Sequence, residues 1–173
     1  MRLNLGNNFR AYLVDPQIRA CIDSLVDFPF QQIWSDVRVL YLTGMQLEDI
    51  RPLAGLVNLQ SLQLNNTQVQ DISPLAGLVR LERLTLDDTP VRNIDALGGL
   101  VNLTHLFLDG TLIENIKPLG KLKKLVTLYF KRTQVRDIEP LLGMTSLKWV
   151  YFDRFNVQDL RQLNRLKLKS GLH

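Results

Sequence analysis

One cysteine, Cys21, is all the thiol chemistry in this 173-residue chain. An intrachain disulfide is therefore excluded, and a reducing compartment is the natural setting. Histidine is nearly as scarce: His105 and His173 are the only two, and no paired Cys or His motif for a metal exists. Gly120-Lys121-Leu122 lacks both the upstream glycine and the Ser or Thr of a phosphate-binding loop. No stretch approaches the roughly 20 apolar residues a membrane-spanning helix needs. The N-terminal run Met1 to Asn8 lacks the apolar block of a secretory signal, so the expectation is a cytoplasmic protein without a membrane partner. Asn65-Asn66-Thr67 and Asn102-Leu103-Thr104 fit the glycosylation pattern by coincidence on that reading. Lysine is absent before Lys117. Residues 1–100 carry 8 Arg against 11 acids, a balance of −3, and residues 101–173 carry 13 Lys plus Arg against 6 acids, a balance of +7. The molecule is thus electrically polar along its length, which can orient a charged partner without identifying it.

What the chain does have is a period. From Val37 onward it repeats every 22 residues, six times, without insertion or deletion. One apolar column runs Val37, Leu59, Leu81, Leu103, Leu125, Leu147; another runs Leu40, Leu62, Leu84, Leu106, Leu128, Val150; a third runs Leu42, Leu64, Leu86, Leu108, Phe130, Phe152. A period of this size means a solenoid, whose units bury their apolar faces only against their neighbours. Such a stack is one structural domain with long, regular surfaces, suited to holding another macromolecule.

Within one repeat, Leu62 and Leu64 share parity and point to one side of a strand, while Ser61, Gln63 and Asn65 point to the other. Val69, Ile72, Leu75 and Leu78 then follow at spacings of three, which suits a short 3₁₀ turn. Asp or Asn recurs where that turn begins, at Asp49, Asp71, Asn93, Asn115, Asp137 and Asp159, and can accept a backbone N–H there. Pro52, Pro74, Pro118 and Pro140 preset φ in the turn, with Ala96 as a departure.

The pattern LxxLxLxxTxVxDIxPLxxL over about 37–166 resembles a leucine-rich repeat of the 22-residue kind found in bacterial internalins and a regulatory subunit of protein phosphatase 1. The resemblance implies an α/β fold: a right-handed solenoid with a parallel sheet on its concave side and short 3₁₀ turns on its convex side. Helical N-terminal caps are usual in internalin-like proteins, and the sequence itself holds no motif that calls for a cofactor. One departure stands out. Where many relatives carry an Asn ladder, this chain has Met45, Thr67, Thr89, Thr111, Thr133 and Phe155; the threonine hydroxyls can still bond to buried backbone groups, and the terminal Met and Phe mark end repeats adapted as caps. Residues 1–36 read as the cap, with Asp15 and Pro16 opening a helix and Ile18, Cys21, Ile22, Leu25 and Val26 forming its apolar stripe. Residues 37–166 are the six repeats, and 167–173 a tail or weak cap.

No nucleophile, base and orienting group can be assembled, so an enzyme is not expected. Asp87, Asp88 and Asp109 come together on neighbouring strands; they read first as a solvated acidic patch, then as a contact for a basic partner. Three carboxylates on an open face supply few of the six to eight oxygens Ca²⁺ takes. The outward strand positions form columns: Val39, Ser61, Arg83, His105, Thr127, Trp149, and beside them Tyr41, Gln63, Thr85, Phe107, Tyr129, Tyr151.

Over the last three repeats Phe107, Tyr129, Trp149 and Tyr151 are the expected apolar anchors of a partner site. Lys131, Arg132 and Arg154 are its pairing groups, Asp109 and Asp153 its acidic contacts, and His105 a further contact. Exposed aromatics edged by Arg and Asp have the makeup of a protein-binding hot spot. Since they point away from the core, truncating Tyr129 or Tyr151 is expected to leave stability nearly unchanged. The reading is a monomeric protein-recognition module. The alternatives are a nucleic-acid binder, or a recognition domain of a larger signalling protein or bacterial effector delivered into a host cell. Asp109 and Asp153 inside the patch, and the scatter of the remaining basic residues, weigh against nucleic acid.

Overall fold

The computed structural model describes residues 2–3 and 37–153. The cap helix expected over 15–27 with Cys21, the positions of Phe155 and Asp159, the tail, and the proposed site residue Arg154 all lie outside the described residues.

The alternation of apolar and polar side chains becomes six three-residue strands: β2 (Val39–Tyr41), β3 (Ser61–Gln63), β4 (Arg83–Thr85), β5 (His105–Phe107), β6 (Thr127–Tyr129) and β7 (Trp149–Tyr151). They pair in parallel in chain order, each residue opposite the one 22 positions on, as in Leu84 with Leu106 and Leu106 with Leu128. A seventh strand, β1 (Arg2–Leu3), joins the β2 edge, with Arg2 opposite Val39 and Leu3 opposite Leu40. The period does not reveal β1, because two residues hold no repeat.

The 3₁₀ turns fall where the spacing of three places them: Arg51–Gly55, Ser73–Leu75, Asp95–Gly99, Lys117–Lys121 and Glu139–Leu141. Each is started by the side chain two residues ahead of its first residue. Asp49, Asp71, Asn93, Asn115 and Asp137 accept the N–H of Arg51, Ser73, Asp95, Lys117 and Glu139 at 2.7–2.9 Å. These donors begin a turn and have no partner within it, so the carboxylate or amide satisfies them. The turn at Asp95–Gly99 has Ala96 where the others have Pro, and forms all the same, with Asn93 supplying the start.

The core is a set of apolar columns stacked repeat on repeat. Leu62, Leu84, Leu106, Leu128 and Val150 are fully buried, as are Leu59, Leu81, Leu103 and Leu125. Burying such a side chain is worth about 1.5–3 kcal/mol. The threonine column lies inside too: Thr67, Thr89, Thr111 and Thr133 donate their hydroxyls to the carbonyls of Leu64, Leu86, Leu108 and Phe130 at 2.6–2.8 Å. Each hydroxyl caps the carbonyl three residues back, so the buried chain is turned without an orphaned polar group.

Candidate concave binding face

Three residues past the end of each of β2 to β6 the backbone turns through the left-handed region, at Gly44 (φ 71°), Asn66 (56°), Asp88 (54°), Gly110 (69°) and Arg132 (57°). Four of the five are residue types that tolerate it; Arg132 is not. The preceding position forms a ladder. Asn65 Oδ1 accepts the N–H of Asp87, Asp87 Oδ1 that of Asp109, and Asp109 Oδ1 that of Lys131, at 2.7–3.1 Å. Asp153 Oδ2 in turn accepts the N–H of Arg132 at 2.6 Å. The expected acidic patch is therefore partly a structural device that joins repeat to repeat.

Desolvation is the main reason that Asp87 is pushed up to about 6, with Asp109 and Asp88 adding repulsion against the donated N–H of Asp109 and the charge of Arg132. Burial raises Asp109 as well, opposed by the N–H of Lys131 and by the charges of Arg132 and Lys131. Among the described residues no group of three or more side chains is arranged to hold a metal ion.

β5, β6 and β7 each contribute one ring to an aromatic stack on the face. Phe107 stacks on Tyr129 with centroids 4.9 Å apart and planes at 21°; Tyr129 stacks on Tyr151 at 4.1 Å and 17°. Parallel register brings them together, since Phe107, Tyr129 and Tyr151 are direct partners across β5, β6 and β7. Arg83 places its guanidinium carbon 5.0 Å from the Phe107 centroid, and Lys131 its ammonium 5.8 Å from that of Tyr151. Both cations reach a ring on the next strand diagonally, Arg83 from the start of its strand and Lys131 from just past the end. Burial raises the Tyr129 hydroxyl first, with the neighbouring Tyr151 hydroxyl and the charge of Asp109 adding to it.

Trp149 stands apart from the stack and is 41% exposed, the largest side chain offered to solvent on this face. His105 is half-buried beside Thr104, whose hydroxyl lies 2.8 Å from Nδ1. That hydroxyl donates to Glu82 O at 2.9 Å, so its lone pair receives the Nδ1–H, and Nε2 carries the free lone pair of the neutral ring. Burial first, then the charge of Arg83, lowers the His105 pKa and keeps the ring neutral at pH 7. Arg132, expected as a pairing group for a partner, is paired with Asp88 at 3.0 Å.

Three expectations need correction. Thr85 and Thr127 occupy outward columns yet are buried, because each is a short side chain between longer ones in register: Gln63 and Phe107 for Thr85, His105 and Trp149 for Thr127. Thr85 Oγ1 has no hydrogen-bond partner. Tyr129 is not an isolated surface side chain, because its ring makes two stacking contacts, so its truncation is now expected to cost stability. Arg83, not among the expected site residues, lies over the Phe107 ring; the diagonal step from its column to Phe107 was the signal that could have found it.

The family model for two consecutive leucine-rich repeats matches residues 35–77, 57–99 and 101–143. Among solved structures, internalin C2 of Listeria monocytogenes is 35% identical over 75% of this chain and 57% of its own, with a TM-score of 0.68. Internalin F of the same organism is 27% identical over 90% of this chain and 52% of its own, at 0.67. A plant membrane receptor kinase ectodomain from Arabidopsis thaliana, solved with CASPARIAN STRIP INTEGRITY FACTOR 2, is 25% identical over 67% of this chain and 15% of its own, at 0.60. The chain thus spans little more than half the length of the two internalins. No curated protein sequence matches it.

Proposed function

This chain belongs to the leucine-rich repeat proteins, and we propose that it is a non-catalytic recognition module gripping a partner protein with the concave face of its last three repeats. Leucine-rich repeats generally serve protein–protein interaction. The observation that carries the reading here is the aromatic stack Phe107–Tyr129–Tyr151 with Trp149 exposed beside it. Large rings already fixed by stacking lose little entropy when a partner covers them, and residues of this type carry most of the binding energy in protein interfaces.

The same geometry supports a protein partner over nucleic acid. Phe107 lies between Arg83 from β4 and Tyr129 from β6, and Tyr129 lies between Phe107 and Tyr151. Both rings offer edges to a ligand, whereas base stacking needs faces.

The test is capture from a lysate of the source organism with the wild-type chain, Trp149→Ala, Tyr151→Ala and the convex control Lys123→Glu. A partner retained by wild type and the control but lost by the two concave variants supports the reading. Loss with the control alone would place the site on the other face and refute it.

A further inference from the structure

We propose that the partner segment seated on this face is rich in carboxylates, received by Arg83 and Lys131 at the two ends of the ring stack. The proposal rests on the concave face being the partner site. Its basis is which charges on the face are already engaged. The two outward columns carried by β2–β7 contain no Asp or Glu at all; Arg83 is their one formal charge once His105 is neutral. The carboxylates nearby stand at the rim, where Asp87, Asp109 and Asp153 accept backbone N–H groups and Asp88 is paired with Arg132. Arg83 and Lys131, in contrast, lean on rings, and among the described residues neither is ion-paired within 4.0 Å.

A guanidinium lying over a ring keeps its N–H fork free for a carboxylate, and the ring limits how far it can swing away. The rings between the two cations add to this field. With both faces covered, Phe107 and Tyr129 present their edges, the positive part of the aromatic quadrupole. A cationic segment would find the faces of Phe107 and Tyr129 occupied and two like charges beside them. An anionic one finds two donors and a positive rim between them.

The experiment is fluorescence anisotropy with three labelled probes: an alternating Glu–Gly peptide, a matched Lys–Gly peptide and oligo-dT. The Glu–Gly peptide is expected to bind saturably, and the double variant Arg83→Gln/Lys131→Gln to weaken it at least about tenfold. The control Lys123→Gln/Lys124→Gln, away from the concave face, should leave it unchanged. Both pairs are on the surface, and matched thermal melts exclude misfolding. Preference for the Lys–Gly peptide, loss of Glu–Gly binding with that control, or no saturable Glu–Gly binding would each overturn the proposal. Tighter binding of oligo-dT would overturn it in favour of a nucleic acid. Trp149→Ala separates the two levels. If a captured partner needs Trp149 but not Arg83 and Lys131, the acidic chemistry fails and the concave site stands. If it needs none of the three, the site itself is wrong.

Discussion

Arg132 reaches across an entire intervening repeat to Asp88, Nη1 to Oδ1 at 3.0 Å, and Gly110 lies beneath the bridge. A Cβ on Gly110 would run into the Asp88 carboxylate and sit 3.3 Å from the Arg132 guanidinium. Gly110 also holds φ at 69°, where an L side chain is disfavoured. Gly110→Ala is therefore expected to destabilise by about 1–2 kcal/mol from the backbone alone, and more from displacing the carboxylate. Asp88→Gly should cost little, since glycine keeps the left-handed φ of 54° without strain and both bridge partners are largely exposed. Urea unfolding of the single and double variants checks this. The double variant should lose less than the two single losses combined, because removing the carboxylate relieves the clash. Full additivity would show that the clash is not felt.

Asp87 gives a pH dependence with a definite sign. Its folded-state value, about 6, lies above the ordinary carboxylate value of 3.8 because burial penalises the charge. The contribution to stability is fully present below 3.8 and is lost as pH rises through 6. Asp87→Asn should remove this slope between about pH 4 and 6. At pH 7 it should stabilise, on the order of 1 kcal/mol after discounting for a half-exposed setting. The hydrogen bond to Asp109 N survives, as Asn65 shows by accepting the N–H of Asp87 with its own Oδ1. Asp71 titrates with the opposite sign, lowered by its bonds to Ser73, so the difference between variant and wild type is the quantity to follow. Parallel curves for the two would refute the assignment.

Thr85 is 6% exposed and its hydroxyl has no partner. A buried polar atom without a hydrogen bond costs about 1–3 kcal/mol. Thr85→Val keeps the shape, removes the unsatisfied oxygen and retains β-branching in a strand, so the variant should melt higher. A lower melting temperature would mean that the hydroxyl is satisfied in solution, by water or by a shift of Gln63 or Phe107.

How much of this was written in the sequence depends on whether a feature repeats. The strands, the 3₁₀ turns, the Asp/Asn that starts each turn and the inward threonines recur every 22 residues. They could be read because six copies average out local noise. Leu106→Ala, in the inner column, should cost about 2–5 kcal/mol through the cavity it leaves, and Gln63→Ala, in the outer one, should cost little. Chemical denaturation decides, and equal costs would break the register.

Features that break the period could not be read that way. The burial of Thr85 depends on the size of its neighbours, Gln63 and Phe107, in adjacent strands. The bridge from Arg132 to Asp88 depends on a glycine in the repeat between. The placing of Arg83 over Phe107 is diagonal, so a reading of columns passes over it. For Asp109 the column was right and the role incomplete: one of its oxygens serves Lys131 N before any partner arrives.

Tyr129 and Trp149 should separate stability from recognition. Tyr129 has a ring on either side, and each stacked pair adds about 0.5–1.5 kcal/mol beyond the area it buries. Tyr129→Ala is thus expected to lower stability by about 1–3 kcal/mol. Trp149 is 41% exposed and outside the stack, so Trp149→Ala should stay within about 0.5 kcal/mol of wild type. Against a captured partner both variants should lose affinity, by over ~2 kcal/mol for a true anchor. Tyr129→Phe supplies the control: it keeps the stacked ring and loses only the hydroxyl. If Tyr129→Ala melts like wild type, the three rings are independent surface groups and the platform does not exist before binding. If Trp149→Ala unfolds the chain, the residue belongs to the core and cannot be counted as an anchor. If the melts follow expectation but neither variant loses affinity, the stack braces the last three repeats and binding is done elsewhere.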